Sequence, residues 1–268
     1  MSIQQTFSSR YGPWALVTGA ARGLGAEFSR QIVDRGINVA MVDLLADELA
    51  RTAEGIRAES GREVVTVEAD LSQPDFIDTI REHIAGMEIG LVVSNAAYGP
   101  VSLFCEYGLD EKLRSIDVNV RAPLTLAHEF APRMAERGRG GIILLSSASA
   151  LQGTPYVANY AATKAYNLIL AESLWVELRG RGVDVLGFMP GTTRTPGYME
   201  SNPRIERAKL IKVNEPGPTV AEALDALGRG SRHIPGRRNR WTMLASGRLI
   251  PRRAALALTA KTMRDLYG

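Results

Sequence analysis

With 268 residues, 45% of them hydrophobic and 23% charged, the chain has enough apolar material for one large α/β core. A single cysteine, Cys105, excludes an intrachain disulfide and reads as a buried apolar residue of a protein in the reducing cytoplasm. Residues 1–11 are polar without an apolar signal core, no run is long enough for a bilayer, and the net charge is only +3. That balance hides an asymmetry, because 226–264 holds ten Arg and Lys residues and no Asp or Glu.

The first apolar run, 14–18, reads as a strand. Gly19-Ala-Ala-Arg22-Gly23-Leu24-Gly25 then turns it into a helix. Glycines at such a turn let the backbone approach a phosphate, and the helix N-terminus offers free N–H groups. The run 37–43 reads as the second strand, ending on Asp43 with Leu44 beyond it. A carboxylate there accepts from both adenosine ribose hydroxyls and repels a 2′-phosphate, which favours NAD over NADP. Arg22 pulls the other way, as a cation able to pair with that phosphate. Asp43 outweighs it, since Leu44 is not a second cation. A helix over 46–60 stops at Gly61, and 63–69 is the third strand. Asp70 and Leu71 close that strand, with Asp70 placed to meet an adenine amino group. A helix over 75–85 leads to a fourth strand, 89–95, after which Asn95, Ala96 and Ala97 turn close to the expected cofactor.

The stretch 110–137 reads as one amphipathic helix with Leu113, Ile116, Val120, Leu124 and Ala127 on its apolar side. Pro123 has no N–H for the carbonyl four residues earlier, which belongs to Asn119, so that carbonyl is free to hold a water. The fifth strand, 141–147, precedes a helix over 159–179 that carries Tyr160 and Lys164 on one face. A phenol ionises near pH ~10 and is a poor base at neutrality. A nearby ammonium lowers that value. With a hydroxyl from the strand end, these parts suit proton transfer at an alcohol oxygen. The sixth strand, 183–189, runs into Pro190-Gly191, and 192–195 pass the nicotinamide end of a bound cofactor. Beyond it, 196–214 reads as a mobile cover, 219–229 as a helix and 232–235 as a doubtful strand. The stretch 241–267 reads as helical pieces broken at Gly247 and Pro251.

Strands alternating with helices predict a Rossmann-type doubly wound parallel sheet of about seven strands, with helices on both faces. The expected organisation is a single catalytic domain, 1–268, with 190–216 covering the substrate and 236–268 as a basic extension. In such a sheet the crevice lies at the carboxyl ends of the strands. Gly19, Asp43, Asp70, Asn95, Ser147 and Pro190 all fall there.

These residues resemble the short-chain dehydrogenase/reductase family over 12–196. Thr18-Gly19-Ala-Ala-Arg22-Gly23-Leu24-Gly25 carries that family's Thr-Gly-x-x-x-Gly-x-Gly. Ser94-Asn95-Ala96-Ala97 stands for its Asn-Asn-Ala-Gly, changed at the first and last positions. Pro190-Gly191-Thr-Thr193-Arg-Thr195 stands for its Pro-Gly-x-x-x-Thr. The resemblance implies an active-site tetrad of Asn119, Ser147, Tyr160 and Lys164. Ser147 is preferred over Ser146 and Ser149 because it precedes Tyr160 by thirteen, the family's usual spacing. It further implies that Tyr160 exchanges a proton with the substrate oxygen and that Ser147 bonds the same oxygen. Lys164 lowers the phenol and holds the nicotinamide ribose, Asn119 keeps a water, and Thr193 and Thr195 hold the carboxamide.

Leu151, Tyr156, Val157, Tyr198 and Met199 are the expected substrate neighbours, which suits a lipophilic, steroid-like secondary alcohol or ketone. The family implies a homodimer or homotetramer, although this tail departs from the usual one. Rival readings are an NADPH-dependent reductase of 3-oxoacyl thioesters, a nucleotide-sensing protein without catalysis, and peripheral contact of the basic tail with a membrane. Neither nucleic acid nor a metal is an expected partner.

Overall fold

The computed structural model describes residues 3–207, 213–236 and 251–268. Seven strands form one sheet: β1 Trp14–Thr18, β2 Asn38–Asp43, β3 Val64–Glu68, β4 Ile89–Ser94, β5 Gly140–Leu145, β6 Val183–Phe188 and β7 Arg232–His233. Their order is β3-β2-β1-β4-β5-β6-β7, and every neighbouring pair is parallel. The chain winds outward from β1 to β3, then returns to start again at β4 beside β1. The strand order reverses between β1 and β4, and a crevice opens at their carboxyl ends.

Around the sheet lie α1 (Ile3–Tyr11), α2 (Gly23–Asp34), α3 (Ala46–Ser60), α4 (Phe76–His83) and α5 (Leu109–Ile116). They are followed by α6 (Ala122–Arg137), α7 (Ala158–Leu178), α8 (Pro196–Glu200), α9 (Pro216–Ala226) and α10 (Arg252–Tyr267). Side chains alternate across a strand, so each strand feeds two cores. Ala15 and Val17 join Phe28 of α2, Ile56 of α3, Phe188 and Val220 of α9. Trp14 and Leu16 join Ile80 of α4, Phe130 of α6 and Ala171 of α7. Burying one such large side chain stabilises the fold by roughly 1.5–3 kcal/mol, so the two cores hold the strand ends rigidly where the site is built.

The predicted long helix is present but interrupted. Asp117–Arg121 forms a π turn between α5 and α6, with Asn119 at its centre. Its supposed apolar side is corrected in part, because Leu113, Ile116 and Leu124 are exposed while Ala127 is buried. The core side is instead Leu126, Phe130 and Met134, since the π turn rotates the register of the helix between Ile116 and Ala122. Cys105 is exposed rather than buried, because it lies in the loop before α5 and not on a strand or helix.

No apolar periodicity signals α1, a polar helix held by its end. Tyr11 donates to Asp184 at 2.6 Å, and Arg10 Nε stands 2.6 Å from the same carboxylate. The doubtful strand near 232 is a real two-residue edge strand. The predicted break at Gly247 and the cations Arg237, Arg238, Arg240 and Arg248 lie outside the described residues. Among the described residues, no helix is long and apolar enough to cross a membrane.

The basic extension ends in α10, which packs across the site side of the sheet. Ser201 Oγ lies 3.1 Å from the Tyr267 hydroxyl, and the Arg204 N–H donates to the Leu266 carbonyl at 3.0 Å. Gln152 bonds Thr259, and the rings of Tyr156 and Tyr267 are 6.4 Å apart. One helix thereby bridges the loop after β5 and the segment after β6.

Candidate active site

Gly19 and Gly23 bend the turn after β1 through the left-handed region, with φ of 66° and 60°. Gly25 is required for another reason. A Cβ there would sit 1.9 Å from the Gly19 carbonyl oxygen, so only glycine lets α2 begin so close to the strand. Asn95 supports the turn from β4, donating from Nδ2 to the carbonyls of Thr18 at 2.9 Å and Gly19 at 3.1 Å. Thr18 Oγ1 accepts from the N–H groups of Asn95 and Ala96 at 3.1 and 3.2 Å. The result is a floor of main chain with no bulky side chain over it.

Asp43 stands at the end of β2. Its carboxylate accepts from Ala21 N–H at 2.9 Å and Leu45 N–H at 3.0 Å, one bond to each oxygen. Each oxygen has a second lone pair for a ribose hydroxyl. Leu44 is exposed beside it, Leu24 is partly buried under the turn, and Leu71 is buried in the core. Asp70 turns towards its own loop, where Oδ1 accepts from Ser72 N–H at 2.9 Å and Oγ at 2.7 Å. Although burial opposes ionisation, the Ser72 bonds and Arg114 hold its carboxyl below the usual range.

On the other side of the crevice, Pro190 and Gly191 follow β6. Thr193 is buried, with its hydroxyl 3.4 Å from the Pro190 and Gly191 carbonyls. Thr195 caps α8, accepting from Tyr198 N–H at 3.3 Å. Its side chain would stand 3.3 Å from a Cβ at Gly23, so the two walls of the crevice approach each other there.

At the end of β5 two adjacent serines take different tasks. Ser146 is buried and donates to the Lys164 carbonyl at 2.7 Å, fixing α7 to the strand. Ser147 stands near enough to the Tyr160 hydroxyl to lower its pKa, and accepts from Ser149 N–H at 3.2 Å. Lys164 is buried and donates to the Leu145 carbonyl at 2.9 Å. Its Nζ lies 5.5 Å from the centre of the Tyr160 ring. Burial pushes the phenol up to about 12, against a lowering by Ser147. Burial pushes the ammonium down to about 8. The phenol is therefore raised overall rather than lowered, because desolvation outweighs the hydrogen bond from Ser147.

Asn119 is fully buried in the π turn. Its Oδ1 accepts from Tyr98 N–H at 2.8 Å. Its Nδ2 lies 2.7 Å from the Tyr98 carbonyl and 3.1 Å from Thr163 Oγ1. Thr163 in turn donates to the Tyr160 carbonyl at 2.7 Å. Asn119 thus ties the loop after β4 to the helix that carries the phenol. Replacing it with Ala orphans the Tyr98 main chain, which costs about 2 kcal/mol. Urea unfolding of Asn119→Ala is expected to show that loss, and an unchanged midpoint would contradict this role.

The structure brings the sequence-predicted residues to one crevice, with two departures in detail. Leu71 faces the core, and Arg22 is drawn across to Glu200. The tying roles of Thr18 and Ser146, and the residues Thr163 and Glu200, were missed. A strand-end threonine or a buried serine carries no pattern in a single sequence, because its partner is far away in the chain.

A doubly wound parallel sheet with a glycine turn at β1 and a Ser–Tyr–Lys group after β5 defines a Rossmann-type oxidoreductase acting between an alcohol and a ketone. The chain belongs to the short chain dehydrogenase family, whose model matches residues 13–206. It is 32% identical over 234 residues to a 7beta-hydroxysteroid dehydrogenase of Collinsella aerofaciens, covering 86% of this chain and 89% of that one. A solved structure from a study of 7beta-hydroxysteroid dehydrogenase stereoselectivity superimposes with a TM-score of 0.88 at 29% identity, over 94% of this chain and 98% of that one. A short-chain dehydrogenase from Sphingobium yanoikuyae in complex with NADPH gives 0.78 at 29%, over 88% and 94%.

Proposed function

We propose that the protein is an NAD(H)-dependent dehydrogenase of a lipophilic, steroid-like secondary alcohol, acting as one catalytic unit over 1–268. The observation that carries the reading is the grouping of Ser147, Tyr160 and Lys164 at the end of the sheet whose glycine turn faces Asp43. The likeness to hydroxysteroid dehydrogenases supports the substrate class.

The donor set fits a dinucleotide. Asp43 keeps lone pairs for the adenosine ribose, the glycine turn supplies main-chain N–H groups, and the Lys164 ammonium has donors left beyond its bond to Leu145. Leu24, Asn95, Ala96, Pro190, Thr193 and Thr195 line the path between. A bound nicotinamide supplies the hydride acceptor at the carbinol carbon. Tyr160 takes the hydroxyl proton, Ser147 bonds the same oxygen, and Lys164 sits where it stabilises the phenolate that starts the step. Asn119 positions the phenol's helix. Leu151, Tyr156, Val157, Tyr198 and Met199, with Leu266 and Tyr267 of α10, surround the substrate. A cavity of about 300 Å³ lined by Tyr156, Leu266 and Tyr267, with Ser201 and Arg204, supports the part of that placement that falls on the loop after β5 and on α10.

Exposed Leu113, Ile116 and Leu124 on α5 and α6, beside exposed Ile169 and Val176 on α7, support a homodimer through these adjacent helices.

The cofactor reading has a direct test. Calorimetric titration of the wild type is expected to favour NADH over NADPH. Asp43→Ser should weaken NADH roughly tenfold, the value of a lost charge-assisted hydrogen bond, and strengthen NADPH. A wild type that prefers NADPH, as its Sphingobium relative's complex allows, would overturn the assignment of Asp43.

A further inference from the structure

Arg22 is the cation of the glycine turn, and its neighbour Ala21 donates to Asp43. From that position its guanidinium would meet a 2′-phosphate placed beside Asp43. In the structure it is already engaged. Nη1 and Nη2 donate to the two carboxylate oxygens of Glu200 at 2.5 and 2.9 Å. A two-point fork of this kind is the strong form of an Arg–carboxylate pair. Glu200 closes α8, at the end of the segment that Thr195 caps against the glycine turn. The pair therefore spans the crevice from its first strand to its sixth. Both side chains remain partly open to solvent, at 36% and 57%, so a phosphate could reach the guanidinium and compete. Asp43 and Glu48 of α3 also lie within electrostatic reach of Arg22.

A ribose 2′-hydroxyl asks nothing of Arg22. A 2′-phosphate must take it from Glu200, while Asp43 and Glu48 repel the incoming charge. We propose that Glu200 is a cofactor-selecting residue that acts through Arg22, holding the cation of the glycine turn away from a 2′-phosphate and so raising discrimination against NADPH. This rests on the dinucleotide reading of the crevice. It adds a residue 178 positions from the glycine turn to the determinants of cofactor choice.

The test is a double-mutant cycle read by binding. Calorimetric dissociation constants for NADH and NADPH are measured on the wild type, Glu200→Ala, Arg22→Ala and the double variant. Glu200→Ala is expected to tighten NADPH roughly tenfold with NADH within about twofold, the scale of one freed charge-assisted bond. Glu200→Gln should move the same way by less. In the Arg22→Ala background, removing Glu200 should leave the ratio of the two constants unchanged. A structural role for Glu200 alone would shift both cofactors together, and that result overturns the proposal. So does a gain that persists without Arg22. The NAD reading fails separately, if the wild type itself prefers NADPH, because the cycle is judged on the change in ratio.

Discussion

A Tyr160→Phe variant is expected to bind the dinucleotide as the wild type does and to lose turnover roughly a thousandfold, the scale of a positioned general acid–base. The substitution removes one oxygen and leaves the ring against Gly99, where a Cβ would stand 2.5 Å from Tyr160 Cδ2. The packing of α7 should therefore survive, and circular dichroism with cofactor titration separates lost chemistry from lost structure. Burial holds the phenol up at about 12. Oxidation needs the ionised form, so its rate should climb with pH through the neutral and mildly alkaline range. Reduction needs the protonated form and should not show that rise. Full turnover in Tyr160→Phe would remove the residue from the reaction.

Lys164→Met is the second large effect, and it separates activity from stability. Turnover is expected to fall at least a hundredfold, because the phenolate loses its neighbouring cation. Stability of the protein alone should not fall with it. The ammonium is buried with a pKa lowered to about 8, against 10.5 for the free group, so in the folded state its charge is carried at a cost. Between pH 8 and 10 the unfolded chain binds more protons at this residue than the folded one. Wild-type stability therefore rises with pH across that window, and Lys164→Met should lack this contribution. Urea midpoints measured at pH 7 and pH 9.5 for both proteins check the sign. A wild type that weakens over that interval, or a variant that keeps the same slope, would contradict the burial argument.

Much of the fold was legible because the evidence for it is local. Six of the strands are short apolar runs with breakers at their ends, and the helix over 46–60 stops at a glycine that adopts φ of 63°. The glycine turn, Asp43, Asn95, Ser147, Tyr160 and Lys164 each sit at a strand end or the start of the following helix, so a correct strand order brings them together. What could not be read depends on distant parts of the chain. The exposed face of Leu113, Ile116 and Leu124 has the periodicity of a core stripe, and only the π turn at Asn119 shows which side faces inward. The polar helix α1 is held by Tyr11 and Arg10 on Asp184, far along the chain. The direction of the Tyr160 shift depended on how much water reaches the ring, which no spacing encodes. Docking of α10 beside Tyr156 and Ser201 likewise follows from contacts across the crevice.

The measurement that bears most directly on the whole account is the appearance of reduced nicotinamide when the protein meets NAD and a panel of hydroxysteroids, run beside 3-oxoacyl thioesters with NADPH. The account predicts steady turnover of one or more hydroxysteroids with NAD, abolished by Tyr160→Phe. Turnover of the thioesters with NADPH, and none of the hydroxysteroids, would contradict it.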